Sequence, residues 1–246
     1  MENNIYINSY DKNSSFLIRD YLYSNLKYKI KSNHNIVFLC IGSDRSTGYS
    51  LGPIIGQKIK SLEKDNLYVY GTLENPVYNQ NITSTLEEIN KNIKKPFIVL
   101  IDACLGPVDK VGNVIMKKSH LIPNIAINDS IPIVGELSIL GVVNFSSEMD
   151  FTLLQTTRLF TVMNIANSIS IGIHLFIMKA LGYSKNQNLK FTLENILGWF
   201  FYSTKKGCLY RHPLKFLYYL LIASLNACIS SSDKSYLEIP LSIGLA

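Results

Sequence analysis

Short apolar runs and helically spaced apolar stripes alternate along most of the chain. Continuous runs predict strands that are covered on both faces, and they occupy residues 36–42, 67–73 and 96–104. Apolar positions three and four residues apart predict helices, and they occupy residues 15–30, 54–64 and 83–95. Strands that alternate with helices predict crossover connections, so this pattern indicates an α/β fold with a mainly parallel sheet.

The later elements extend this sheet and cover it. Residues 110–118 and 137–145 have the pattern of two further strands, which form either a hairpin or a mixed edge. From Glu148 to Met178, apolar residues recur at helical spacing and predict one long helix over one face of the sheet. The composition changes after Gly182, which predicts an α/β domain at residues 1–182 and a C-terminal extension at residues 183–246.

The extension is rich in aromatic and basic residues. Its longest apolar run, residues 216–229, is shorter than the about 20 residues that a membrane-spanning helix needs. We therefore expect an amphipathic or self-packing helix there, and we disfavour membrane contact through residues 214–229.

Composition indicates a folded cytoplasmic protein. The 246 residues are 47% hydrophobic and 17% charged, which is sufficient for a sizeable core. The formal charge of +6 comes without an Arg-rich face, so nucleic acid is not an expected partner. The N-terminus has no basic segment followed by an apolar one, so nothing marks the chain for export. Cys40 and Cys104 lie in apolar runs, which predicts buried reduced thiols, and the cysteines lack zinc-like spacing.

Candidate chemistry lies where the predicted strands end. In open α/β sheets, ligands bind beyond the carboxyl ends of parallel strands. The loop at residues 42–53 follows the first predicted strand, and Asp102 follows the apolar residues of the third. Partial burial raises the pKa of a carboxyl group and a nearby cation lowers it, so Asp102 suits an acid, a base or a metal ligand. The alternative is that Asp102 caps a turn through its side-chain oxygen.

The loop allows several roles. Its backbone amides suit an anion at a helix start, but it lacks the glycine spacing of nucleotide-binding loops. Asp44 and Arg45 are candidates for an ion pair, and Ser46 and Ser50 lack the surroundings of an activated nucleophile. Among the histidines, His120 is the one placed to approach the site. The others fit structural or exposed positions and are His34, His174 and His212.

Six motifs follow one another along residues 35–181: CIGSDRSTGYSLGP, YGTLENP, IDACLG, VGNV, IPIVGELSILGVVNFSS and LQTTRLFTVMNIA. Together they resemble the YyaC-type sporulation protein family of spore-forming Firmicutes. That family is similar to the germination protease that degrades small acid-soluble spore proteins, and more distantly to the endopeptidases that mature nickel–iron hydrogenases. The resemblance implies a three-layer α/β/α fold of the phosphorylase/HybD-like type, in the cytoplasm of a sporulating cell or spore.

The resemblance also implies a site built on two carboxylates. In the protease relatives one acid precedes a Leu-Gly-Pro in the first loop and the other lies in a V-D-A element, so that one activates water while the other protonates the leaving group. The second acid corresponds to Asp102. At the first position this chain has Tyr49, whose phenol, with an ordinary pKa of about 10, is a poor base at neutral pH. Asp44, a short way upstream, is the substitute candidate.

Other motif residues are candidates for substrate binding. They are Gly42, Ser43, Arg45, Ser46, Gly52 and Glu74. Corresponding acids ligate nickel in the hydrogenase relatives, but no cofactor is expected here, and a divalent metal at Asp102 is the disfavoured alternative. Further departures from the family pattern occur at Ser119, His120, Leu121, Pro123, Asn124 and Glu136.

Two functions are consistent with these residues. The first is a sporulation-associated nominal peptide-bond hydrolase with a degenerate two-carboxylate site, whose substrates or ligands are spore proteins or peptides. The second is a non-catalytic member of the same fold that binds peptides or proteins during spore formation. Oligomerisation is compatible with either.

Overall fold

The computed structural model describes residues 4–118, 135–147 and 150–181, all within one compact unit, Met1–Tyr183. The predicted extension at residues 183–246, with its run at 214–229, lies outside the described residues. So do several positions named above, which are Ser119, His120, Leu121, Pro123, Asn124 and His212, and the two other cysteines of the sequence, Cys208 and Cys228. The predictions that concern these positions stay predictions.

Six strands form one sheet in the described part of the chain. They are β1 (Ile5–Asn8), β2 (Asn35–Cys40), β3 (Leu67–Tyr70), β4 (Pro96–Gly106), β5 (Asn113–Lys117) and β6 (Leu137–Phe145). Their order across the sheet is β1-β5-β6-β4-β2-β3. Neighbouring strands are parallel from β6 through β4 and β2 to β3, whereas β5 pairs antiparallel with both β6 and β1. The sheet is therefore mainly parallel with a mixed edge, as the sequence predicts.

Helices cover both faces of this sheet. They are α1 (Ser14–Lys31), α2 (Leu51–Ile59), α3 (Ile82–Asn92), α4 (Asp150–Gln155) and α5 (Leu159–Leu181). Apolar residues of α1, α2 and α5 share one core cluster with side chains from one face of the sheet, such as Phe38 and Val99. Residues of α3 share a second cluster with side chains from the other face, such as Leu39 and Leu100. The fold is therefore a three-layer α/β/α arrangement, which confirms the predicted fold class.

Turns with glycine set the ends of several elements. The predicted second strand stops at Tyr70 because Gly71 follows with φ +86°, a conformation that favours glycine. The predicted strand at residues 110–118 begins only at Asn113, after Gly112 with φ +90°. The second helix begins at Leu51, earlier than predicted, and accommodates Pro53 in its first turn, where a proline needs no amide donor.

The prediction of one long helix between Glu148 and Met178 is wrong in one respect. The described residues form two helices, α4 and α5, separated at Thr156–Arg158. Before the break, carbonyls near the end of α4 accept hydrogen bonds from other elements: Asn144 donates one to the carbonyl of Leu153, and Ser46 donates one to the carbonyl of Leu154. Periodicity cannot report such contacts, because the donors lie on other elements.

α5 is a helix of the domain core. Among the described residues it is the one helix long and apolar enough to cross a membrane by length and composition, yet 61% of its most apolar window is buried inside the domain. It packs along α1, where Ser14 and Ser168 share a hydrogen bond of 2.9 Å and Lys179 forms an ion pair of 3.0 Å with Asp20. Length and apolar composition are what such a core helix requires.

The parallel strands reverse their order at the pair β2 and β4. From β2 the chain passes through α2 to β3 on one side, and then through α3 to β4 on the other side of β2. Loops therefore diverge at the carboxyl ends of β2 and β4, which is the position where open α/β sheets bind ligands. The predicted site residues lie at this end of the sheet.

Candidate functional site

Asp102 lies on the central strand β4, with parallel strands on both sides. It is opposite Leu140 of β6, and the amide of Ile41 donates a hydrogen bond of 2.8 Å to the carbonyl of the preceding residue, Ile101. Asp102 is 1% exposed and is the only buried acidic or basic side chain in the described ranges. The chain therefore leaves β2 directly beside a buried carboxyl group.

Strand geometry assigns the Asp102 side chain to one face of the sheet. Ile101 and Ala103 contribute to the cluster beneath α1, α2 and α5. Leu100 belongs to the cluster beneath α3, and Cys104 to a third, smaller cluster. Because successive side chains of a strand alternate between faces, Asp102 projects with Leu100 and Cys104.

The burial of Asp102 is unusual enough to indicate a role. Removing a carboxyl group from water costs free energy unless hydrogen bonds or charges compensate it. Its Oδ1 accepts a hydrogen bond of 2.7 Å from the amide of Ala103. That local bond resembles a turn cap, but Asp102 lies inside β4, which continues to Gly106. A buried carboxyl group at the ligand-binding end of a sheet is a candidate for a functional site.

The two cysteines near the site are buried and reduced, as predicted. Burial raises the pKa of the Cys104 thiol to about 12, with a further increase from the negative charge of Asp102 and a decrease from Lys117. Burial also raises the pKa of the Cys40 thiol far above its ordinary value. Both thiols are therefore protonated at neutral pH, and neither suits a nucleophile, which must be a thiolate.

Residues 41–50, called the site loop below, connect β2 to α2. Gly42 has φ +145°, and a Cβ atom there would lie 2.0 Å from the carbonyl oxygen of Tyr49. The same carbonyl accepts a hydrogen bond of 3.0 Å from the amide of Ser43. The loop therefore folds back on itself so closely that only glycine fits at position 42.

The start of α2 rests directly on the end of β2. A Cβ atom on Gly52 would lie 2.0 Å from the carbonyl oxygen of Ile41. Gly42 and Gly52 were predicted to bind substrate, and the structure gives both a packing role at the end of β2. Their contact with a substrate stays a prediction.

α4 holds the site loop from the other side. The Oγ of Ser46 donates a hydrogen bond of 3.0 Å to the carbonyl of Leu154. Gly48 approaches the same residue so closely that a Cβ atom would lie 2.7 Å from the carbonyl oxygen of Leu154. The loop is therefore enclosed between the end of β2 and α4.

The remaining predicted residues differ in exposure. Tyr49 is half-buried and packs against the core cluster beneath α1, α2 and α5. Asp44 and Arg45 are exposed, and no ion pair joins them within the residues that the structure describes. Ser43 is half-buried, and its Oγ accepts a hydrogen bond of 3.3 Å from the amide of Arg45. Of the predicted acids, only Asp102 is therefore buried.

Glu74 lies on the loop that follows β3. It is exposed, within a turn in which the amide of Asn75 donates a hydrogen bond of 3.1 Å to Oγ1 of Thr72. This loop leaves the same edge of the sheet as the site loop, since β2 and β3 are parallel. Glu74 therefore remains a candidate at the rim of the site.

A nickel site like that of the hydrogenase relatives stays a disfavoured prediction. In the described part of the chain, no three His, Cys, Asp or Glu side chains come together in a group that could hold a metal ion. Structural and catalytic metal sites need three or more protein ligands in most cases.

Sequence reasoning missed Asn144 and Thr157. Asn144 lies near the end of β6, and its Nδ2 donates hydrogen bonds of 3.0 Å to the carbonyl of Leu153 and 3.3 Å to Oγ1 of Thr157. A polar residue close to the end of a buried strand was the available signal. Its partners could not be identified, because they depend on where α4 packs.

Comparison with known proteins identifies a family and two similar proteins. A family model described as a protein of unknown function (DUF1256) matches residues 6–172. The uncharacterized protein YyaC of Bacillus subtilis (strain 168) is 44% identical over 140 residues, which are 57% of this chain and 68% of that protein. The crystal structure of a NiFe hydrogenase maturation protease, HycI from Thermococcus kodakarensis KOD1, is similar at 15% identity with a TM-score of 0.28, over 58% of this chain and 97% of that one.

Proposed function

The chain belongs to the DUF1256 family, as its YyaC-type motifs predicted, and from that premise we propose that it is a sporulation-associated protein with a degenerate peptidase site. Its substrates or ligands are peptide segments of spore proteins, bound at the carboxyl ends of β2 and β4. The observation that carries this proposal is the burial of Asp102 beside the start of the site loop. The location is the cytoplasm of the sporulating cell or spore.

In this proposal Asp102 is the surviving acid of a two-carboxylate site. Hydrolysis of a peptide bond needs one group to activate water and one to protonate the leaving amine. By the motif resemblance Tyr49 corresponds to the second acid, and a phenol remains protonated at neutral pH. Its side chain packs against the cluster beneath α1, α2 and α5, whereas Asp102 projects with Leu100 and Cys104, so the proposal rests on the motif for this pairing. General acid–base catalysis by one positioned group contributes about 10²- to 10⁴-fold to a rate. The native chain therefore hydrolyses peptides more slowly than a two-acid site by about that factor.

Restoring the missing acid tests this account. The Tyr49→Asp variant adds a carboxylate, while the matched Tyr49→Asn variant changes the size of the side chain equally without adding the charge. We expect the Asp variant to cleave small acid-soluble spore proteins faster than both the native chain and the Asn variant. Equal rates for all three, in preparations with the same circular dichroism spectrum, would contradict the degenerate-site proposal.

The packing of Tyr49 favours a second candidate function. Tyr49 is half-buried against the core cluster beneath α1, α2 and α5, and Asp44 is exposed. Neither residue supplies a second buried acid, which fits a protein that binds its ligand without catalysing hydrolysis. The protein then binds a peptide or protein partner during spore formation without cleaving it. Peptide binding with no turnover in the native chain or in Tyr49→Asp would favour this function, and turnover by the native chain would exclude it.

A further inference from the structure

The short helix α4 connects two parts of the domain that are distant in sequence. On one side, the carbonyl of Leu153 accepts hydrogen bonds from Asn144, at 3.0 Å, and from Oγ1 of Thr157, at 2.7 Å. On the other side, the carbonyl of the next residue, Leu154, accepts the 3.0 Å hydrogen bond from Ser46. The last carbonyls of a helix have no partner within the helix, so they are free to accept such bonds.

Asn144 occupies a position close to the candidate site. It pairs across the sheet with Leu105, at a register shift of β4 only a few residues beyond Asp102. Both ends of its amide are used, since Oδ1 accepts a hydrogen bond of 2.9 Å from the amide of Phe145 while Nδ2 donates to α4. A half-buried amide with both ends bonded holds one orientation.

The site loop is held by its own hydrogen bonds and by contacts with α4. Beyond Ser46, the loop contains a hydrogen bond of 3.1 Å from the amide of Ser50 to the carbonyl of Ser46, and one of 3.0 Å from the amide of Ser43 to the carbonyl of Tyr49. Gly48 is packed against Leu154, whose side chain is 8% exposed. Ser46 and Gly48 are therefore the points at which α4 contacts the loop.

We infer that Asn144 and Ser46 are positioning residues that act through α4 as a brace, holding the site loop in a preformed arrangement next to Asp102. The brace consists of Asn144, the carbonyls of Leu153 and Leu154, and Ser46. Its consequence for ligand binding rests on the proposed function, because a preformed loop avoids the entropy of ordering on binding. The brace itself is a property of the free protein and needs no ligand.

Amide hydrogen exchange of the full-length protein measures the brace directly. The variants are Asn144→Asp, which keeps the acceptor for Phe145 but loses the donor to Leu153, and Ser46→Ala. The matched control is Ser24→Ala, because the exposed Ser24 hydroxyl donates a hydrogen bond of 2.8 Å to the carbonyl of Tyr21 within α1 and touches no part of the brace. Loss of one hydrogen bond accelerates exchange by about fivefold, which is the change expected at the amides of Ser43 and Ser50 in both brace variants.

Two further measurements make this test specific: the exchange of a core amide in β2, and the exchange of the loop amides in the double variant Ser46→Ala with Asn144→Asp. The amide of Phe38 in β2 should keep its exchange rate, and the double variant should accelerate loop exchange by less than the product of the single effects, because both changes break one connection. Loop exchange in the brace variants equal to that of Ser24→Ala, or an equal acceleration at the loop amides and at the Phe38 amide, would overturn the brace. Failure to bind any spore peptide, with the exchange results as expected, would contradict the proposed function alone.

Discussion

Ser46 and Leu154 are joined by a hydrogen bond of 3.0 Å between the serine hydroxyl and the leucine carbonyl, although 108 residues separate them in the sequence. This contact places the loop after β2 against the helix after β6. The candidate site is thus built from segments that meet only in the folded domain: the site loop, the end of β4 and α4.

Gly42 is the position at which the site loop tolerates least change. We expect Gly42→Ala to destabilise the domain by about 3 kcal/mol, because φ of +145° strains any residue with a Cβ atom and that atom would lie 2.0 Å from the carbonyl oxygen of Tyr49. Urea denaturation followed by circular dichroism measures this. Gly106→Ala is the control, because its Cβ atom would lie 3.1 Å from Cγ1 of Val142, a side-chain atom, and not against a backbone carbonyl. Equal stability of the two variants would contradict the packing described for the loop.

Gly172 sets the close approach of α1 and α5. A Cβ atom there would lie 2.6 Å from Cγ2 of Ile18. We expect Gly172→Ala to lower the free energy of unfolding by about 1–2 kcal/mol, because overpacking outweighs the gain in helix propensity. The control Ile171→Ala, at a position 46% exposed on the same helix, should have a much smaller effect. A Gly172→Ala variant as stable as the native chain would show that the two helices can separate without cost.

His174 makes stability depend on pH. Its pKa is lowered by burial on α5, so the folded domain disfavours the protonated ring. The unfolded chain, with a pKa of about 6.5 for histidine, binds the proton more readily, so stability decreases as the pH falls through that value. We expect His174→Gln to flatten the decrease in melting temperature between pH 7.5 and pH 5.5. An unchanged slope would contradict a lowered pKa of His174 in the folded domain.

The three-layer fold could be predicted because the apolar patterns of its main strands and helices are local in the sequence. The runs that became β2 and β4 are continuous and apolar because both faces of those strands are covered, and the carboxyl group of Asp102 interrupts such a run visibly. The positions of the site loop and of Asp102 at one edge then follow from parallel connections alone.

The elements that the sequence did not predict, β1 and the break between α4 and α5, are contacted by residues distant in the sequence. β1 has only four residues, of which one is buried, and it is stabilised by pairing with β5, where Ile5 is opposite Met116. At the end of α4 the carbonyls of Leu153 and Leu154 accept hydrogen bonds from Asn144 and Ser46, which no periodicity within the helix reveals. Local pattern carries no information about such contacts, since they depend on the packing of the whole domain.

The central claim is that Asp102 is the reacting acid of a two-carboxylate site whose partner was replaced by Tyr49. The most direct measurement is the rate at which Tyr49→Asp cleaves a small acid-soluble spore protein, with and without the additional Asp102→Asn change. Because Asn keeps the shape of Asp but cannot transfer the proton, we expect the additional change to reduce the rate by about 100-fold or more. Equal rates with and without Asp102 would contradict the claim.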